Sequence, residues 1–165
     1  MMKELPDFLF ALREDLKDDK RFLPTRAEPL ATGWDVRAAM SNRQTLIIRP
    51  GQYVKIPLGF RAFCPTEYWY RLAPRSSSFA KKSLHALYGT IDETYSMEAV
   101  FVAQFIPDVT ALGNDLRIEF GESIAQIIPE KRQEMTVLSI SNEELDTLYE
   151  KRGIMRDGFG STDGK

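Results

Sequence analysis

The sequence predicts an all-β domain, a sandwich or a barrel. Two observations carry this reading. Short runs of β-forming residues recur along most of the chain, and Pro, Gly, Asn or Asp separate them at fairly regular intervals. There is no internal repeat and no low-complexity linker.

The elements follow in order. Phe8, Leu9, Leu12 and Leu16 fall near one helical face behind Pro6-Asp7, so a short amphipathic helix is expected over residues 6 to 18, within an N-terminal extension of residues 1–22. From about residue 24 the pattern becomes one of strands. Thr45–Ile48 and Tyr53–Ile56 flank the turn signal Pro50-Gly51. Further strands are expected at Phe60–Phe63, Tyr68–Leu72, Ala99–Ile106, Leu116–Phe120, Ile124–Ile128 and Met135–Ile140. Ser141 and Asn142 are cap candidates for a second helix over about 142 to 151. The β domain is therefore placed at 23–152. Residues 153–165 hold Gly158, Gly160 and Gly164 around Phe159, form no core of their own, and read as a movable arm.

Composition narrows the function. The 165 residues carry 22 Lys plus Arg against 24 Asp plus Glu, a formal charge of −2. That sign disfavours nucleic-acid binding driven by phosphate neutralisation. Hydrophobic residues make up 43%, enough to offset chain entropy, so whole-chain disorder is excluded. With one Cys (Cys64) and one His (His85), no intrachain disulfide and no zinc-deaminase ligand set can form. No apolar run reaches bilayer length, and Phe8–Leu12 lies among charges unlike a signal peptide. The expectation is a cytoplasmic protein that contacts no membrane.

Single motifs say little. Gly121-Glu122-Ser123-Ile124-Ala125 resembles a nucleophile elbow, but Ala125 replaces the second Gly and the context is strand to strand. Gly158–Lys165 lacks the spacing of a phosphate-binding P-loop. His85 has no catalytic motif around it. Asp92 follows the β-type run Gly89-Thr90-Ile91 and alone reads as a turn residue. Arg75-Ser76-Ser77-Ser78 gathers a guanidinium and hydroxyls that suit phosphate oxygens, yet a polar loop looks the same.

Their order is specific. Ala31–Ala38, Ala73–Ser77, Tyr88–Tyr95, Gly121–Gln126 and Gly158–Thr162 together resemble the five ordered motifs of the trimeric dUTPase family, from about residue 24 to the end. The resemblance implies a jelly-roll-like β fold, a homotrimer with shared active sites, dUTP as substrate and Mg²⁺ as cofactor. Asp92 would be the base that activates water against the α-phosphorus. Asp35 would support the metal through water. Arg75, Ser76, Ser77 and Gln126 would hold phosphates, and backbone groups of Thr90 and Ile91 would read uracil. Tyr95 would lie under the deoxyribose. In the arm, Phe159 would stack on the base while Arg156, Ser161 and Thr162 met the phosphates.

The sequence departs from the family pattern in places. Thr94 stands where an Asp is usual, Ser96-Met97 where Arg-Gly is usual, and Ser123 where a basic residue is usual. The Ser run after Arg75 is longer, and the arm Arg is displaced, with Arg152 farther from Phe159 than usual and Arg156 closer. The pattern is that of a divergent, phage-like member. Two alternatives are a dCTP deaminase of the same fold and a non-catalytic nucleotide-binding regulator. The deaminase Glu has no counterpart, because Val102, Ala103 and Gln104 occupy that stretch and Glu98 comes too early.

Overall fold

The computed structural model describes residues 6–108 and 113–153. In chain order the strands are β1 (Leu9–Leu12), β2 (Trp34–Arg37), β3 (Leu46–Ile48), β4 (Tyr53–Pro57), β5 (Phe60–Phe63) and β6 (Tyr68–Pro74). A short helix α1 (Ser76–Ala80) precedes β7 (Leu84–Tyr88), β8 (Thr90–Ile91), β9 (Val100–Phe105), β10 (Leu116–Ile118) and β11 (Ser123–Lys131). Helix α2 (Asn142–Arg152) follows. The chain divides into two compact units, residues 1–132 and 133–165.

The first unit is all-β, as expected. One sheet runs β2-β11-β6-β8 and a second β4-β9-β7, while β1 pairs with β5 and β3 with β10. Every ladder among the described residues is antiparallel. Side-chain alternation sets which face is buried. In β4, Val54 and Ile56 turn inward while Tyr53 and Lys55 face out. In β9, Phe101, Ala103 and Phe105 are buried. These meet Val36, Phe60, Leu72, Leu84, Ile118, Ile124 and Ile127 in one core. Each fully buried aliphatic or aromatic side chain there stabilises the fold by about 1.5–3 kcal/mol, and Phe101→Ala would cost about 3–5 kcal/mol.

The helix expected over residues 6 to 18 is not formed. Leu9–Leu12 is a strand, with Leu9 opposite Phe63 and Leu12 opposite Phe60, and single 3-10 turns follow at Glu14–Leu16 and Lys20–Phe22. The physical reason is an alternation in the same residues: Phe8, Phe10 and Leu12 pack on the core, and Phe10 meets Phe60 edge-on at 5.5 Å. The segment packs onto the domain. Leu16 and Phe22 are fully buried with Ala39 in a second cluster. Arg13 secures it, donating to Glu98 Oε1 at 2.9 Å and to the Ala39 carbonyl at 2.9 Å.

In the second unit α2 forms as expected. Ser141 Oγ accepts from the Glu144 N–H, the Glu144 carboxylate accepts from the Ser141 N–H, and Gly153 ends the helix at φ 67°. The strand expected at Met135–Ile140 is absent. Met135, Val137 and Leu138 are 84%, 80% and 79% exposed, and no strand among the described residues pairs with them. An isolated extended segment has nothing to satisfy its ladder. The expected arm falls almost wholly outside the described residues, as do Arg156, Phe159, Ser161 and Thr162.

Candidate active site

The two halves of the expected site lie at opposite ends of the β2-β11-β6-β8 sheet. At one end, Asp35 on β2 is the register partner of Gln126 on β11, which in turn faces Ala73 on β6. Arg75, at the start of α1, reaches back across them. Its Nε pairs with Asp35 Oδ1 at 3.1 Å and its Nη1 donates to the Ser123 carbonyl at 3.1 Å. Gln126 Nε2 donates to the Pro74 carbonyl at 3.1 Å, which holds the carboxamide beside the Arg75 turn. Both charges of the Asp35–Arg75 pair are mostly shielded, with side chains 18% and 32% exposed.

The serine run separates by role. Ser78 is buried, and its Oγ donates to the Ile124 carbonyl at 2.5 Å, so this hydroxyl fastens α1 to β11. Ser76 is exposed and Ser77 half-buried in the first turn of α1. Ser78 was not singled out from sequence as a fastening residue, since adjacent serines look alike until burial distinguishes them. The Ser123 side-chain oxygen, by contrast, is buried without a hydrogen-bond partner.

At the other end stands the Asp92 turn. Ile91 is opposite Tyr70 on β6 and buried in the core, so of Ile91 only the backbone is open to a ligand. Because β8 is the last strand of its sheet, one side of its N–H and C=O groups is left without a ladder partner. Asp92 follows and is exposed, and its carboxylate has no hydrogen-bond or ion-pair partner among the described residues. The Tyr95 N–H closes the turn on the Asp92 carbonyl at 3.0 Å, and Tyr95 Oη donates to the Glu98 carbonyl at 3.1 Å. A hollow of about 350 Å³ is lined by Asp92, Thr90 and Thr94 together with Trp69 and Arg132.

Six residues of β6 separate the level of Asp92 from Arg75, roughly 20 Å at the rise of a strand. One chain thus brings Asp35, Arg75, Ser123 and Gln126 together, and separately Thr90, Ile91, Asp92 and Tyr95, but does not join the groups. Glu98 is already engaged: its Oε1 accepts from Arg13 at 2.9 Å and from the Gly59 N–H at 2.9 Å. Among the described residues no group of three acidic, His or Cys side chains is arranged to hold a metal. Asp35, paired with Arg75, fits an indirect role toward a cation carried by phosphates.

A dUTPase family model matches residues 19–163. The chain belongs to the dUTPase family. A dUTPase (deoxyuridine 5'-triphosphate nucleotidohydrolase) of Debaryomyces hansenii is 30% identical over 152 residues, covering 92% of this chain and 87% of the relative. Solved dUTPases share the fold. A variant dUTPase of Staphylococcus bacteriophage 80alpha, with dUpNHpp, superposes at a TM-score of 0.69 and 18% identity, covering 82% of this chain and 89% of the phage chain. A variant dUTPase from phage phi11 of S. aureus, in which a structural Mg(II) ion is coordinated, gives 0.67 at 16% identity, covering 82% and 97%. The family match begins after β1 and runs through β2 to β11 and on through α2.

Proposed function

We propose that this dUTPase family member hydrolyses dUTP to dUMP and pyrophosphate. The observation that carries the reading is the uncommitted Asp92 carboxylate at the end of an edge strand. Unpaired backbone groups of Thr90 and Ile91 on that strand suit the edge of uracil. They also discriminate: cytosine replaces the O4 acceptor with a donor and leaves partners unmatched. Tyr95, in the same turn, lies under the deoxyribose and excludes a 2′-hydroxyl.

Asp92 takes a proton from water as the water oxygen bonds to the α-phosphorus and the bond to the β-phosphate oxygen breaks, in line. Arg75, Ser76, Ser77 and Gln126 hold phosphate oxygens. Mg²⁺ carried by the triphosphate would supply charge neutralisation for the leaving pyrophosphate, and Asp35 would support it through water. From the arm, Phe159 would stack on the base and Arg156, Ser161 and Thr162 would meet the phosphates, keeping bulk water from the site.

The two half-sites support a homotrimer in which Asp92 of one copy meets Arg75 and Gln126 of another. The exposed Met135, Val137 and Leu138 supply apolar surface for such assembly. The free Cys64 thiol fits a reducing compartment such as the cytoplasm. The deciding experiment measures pyrophosphate release from dUTP, dCTP, dTTP and UTP by wild type and Asp92→Asn. The expected result is dUTP-selective, Mg²⁺-dependent release that falls about 10²–10⁴-fold in the variant. Undiminished release by Asp92→Asn would overturn the assignment.

A further inference from the structure

The Asp92 carboxylate makes no contact that fixes its direction among the described residues, so its aim depends on the backbone of the turn that carries it. Ile91 anchors one end of that turn in the core and the Tyr95 N–H closes the other. Between them, Glu93 turns back toward the protein, its side chain 27% exposed. One oxygen, Oε2, accepts from Arg132 Nη1 at 2.9 Å and from the Glu67 N–H at 3.1 Å.

Two further observations show that this contact is built rather than incidental. Glu67 sits at φ 69°, a left-handed conformation uncommon for a residue with a side chain, and its N–H in that conformation meets the Glu93 carboxylate. The Arg132 N–H returns to the Glu67 carbonyl at 2.7 Å, closing a ring of three residues. The ring joins the turn between β5 and β6, the end of β11 and the Asp92 turn. Arg132 and Asp92 also line the same hollow.

We propose that Glu93 is a positioning residue for Asp92: clamped by the Arg132 guanidinium and the Glu67 N–H, it sets the turn from which the Asp92 carboxylate meets its water. The proposal rests on Asp92 being the base. Charge-assisted bonds of this kind fix geometry strongly. The pair is half open to water, with Arg132 51% exposed, so it adds little to global stability. Loss of the clamp therefore separates catalysis from folding, since a small misplacement of a base lowers turnover far more than it lowers a melting temperature.

The test is steady-state pyrophosphate release from dUTP by the full chain, using Glu93→Gln, Arg132→Gln, the double variant and Arg132→Lys, with Asp92→Asn alongside. Each single loss should lower kcat about tenfold or more. KM for dUTP and the melting temperature should stay near wild type. The double variant should be no worse than the singles, because both break one unit, and Arg132→Lys should recover part of kcat. Wild-type kcat in the single variants, losses that multiply in the double, or a kcat loss matched by loss of folded protein each overturn the proposal. If Asp92→Asn is inactive while Glu93→Gln is not impaired, only the positioning role fails. If wild type does not release pyrophosphate from dUTP, or Asp92→Asn is fully active, the reading beneath it fails as well.

Discussion

The Gln126 carboxamide occupies the space that a Cβ on Gly33 would fill. A methyl group there would overlap Gln126 Oε1. Gly33 is buried beside β2, so the requirement is one of room rather than of backbone freedom. Gly33→Ala should push Gln126 away from the Pro74 carbonyl and from any phosphate it holds. KM for dUTP should rise about tenfold, equivalent to about 1.4 kcal/mol. Steady-state pyrophosphate release with a thermal melt in parallel checks this, and an unchanged KM would show that Gln126 does not grip the substrate.

Separation of Asp92 from Arg75 along β6 makes a second prediction. If each site takes its carboxylate from one copy and its guanidinium from another, two inactive variants can repair each other. Asp92→Asn and Arg75→Ala chains, unfolded together in equal amounts and refolded, should recover about a quarter of wild-type activity by random assembly of a closed oligomer. The variants refolded apart and then pooled should stay inactive. Absence of recovery in the co-refolded sample would place a complete site within one chain.

Much of this was legible in the sequence, for identifiable reasons. Val54 and Ile56 alternate with exposed neighbours, and Phe101 and Ala103 with half-buried ones, and the strands stand where that period predicts. Ser141 and Glu144 hold the capping-box spacing and cap α2. Phe8, Leu9, Leu12 and Leu16 misled because a short apolar run satisfies helical and strand periods at once. The decisive alternation of Phe8, Phe10 and Leu12 needed Phe60 opposite it to count. Met135–Ile140 misled in the other direction, since β-formers make no strand without a partner ladder. Strands β2 and β7 and helix α1 were not picked out, being short and interrupted by charged or polar residues. Asp92 and Arg75 were found through motif order. Their separation, and the Glu93–Arg132 clamp, are matters of register that one-dimensional spacing does not carry.

Deaminase chemistry is opposed by the state of Glu98. Arg13 and the Gly59 N–H occupy its Oε1, and its exposed fraction is only 32%, so it serves as a structural anchor for the N-terminal segment. Incubation with dCTP should release no ammonia. Glu98→Gln should instead lower the melting temperature by several degrees, because a charged bond to a partly buried guanidinium contributes about 1.5–3 kcal/mol. Ammonia release that disappears in Glu98→Gln would reverse this assignment.

Alkaline pH should destabilise the fold through two neighbouring groups. Burial pushes the Cys64 thiol above its ordinary value, and the negative charge of Glu93 adds to the shift. Burial likewise pushes the Tyr70 hydroxyl far above its ordinary range, with Cys64 and Tyr95 contributing. Both groups are neutral when protonated, and the folded state holds their protons more tightly than the unfolded state does. Their contribution is therefore complete below the ordinary thiol value of 9.0 and is lost as pH rises through it and then through the phenol range. Thermal melts should give a level midpoint from about pH 7 to 8, followed by a progressive fall above about pH 9. Cys64→Ala should lower the midpoint overall, yet delay the onset of the fall until the phenol ionises. An unchanged onset in that variant would assign the alkaline transition to Tyr70 alone.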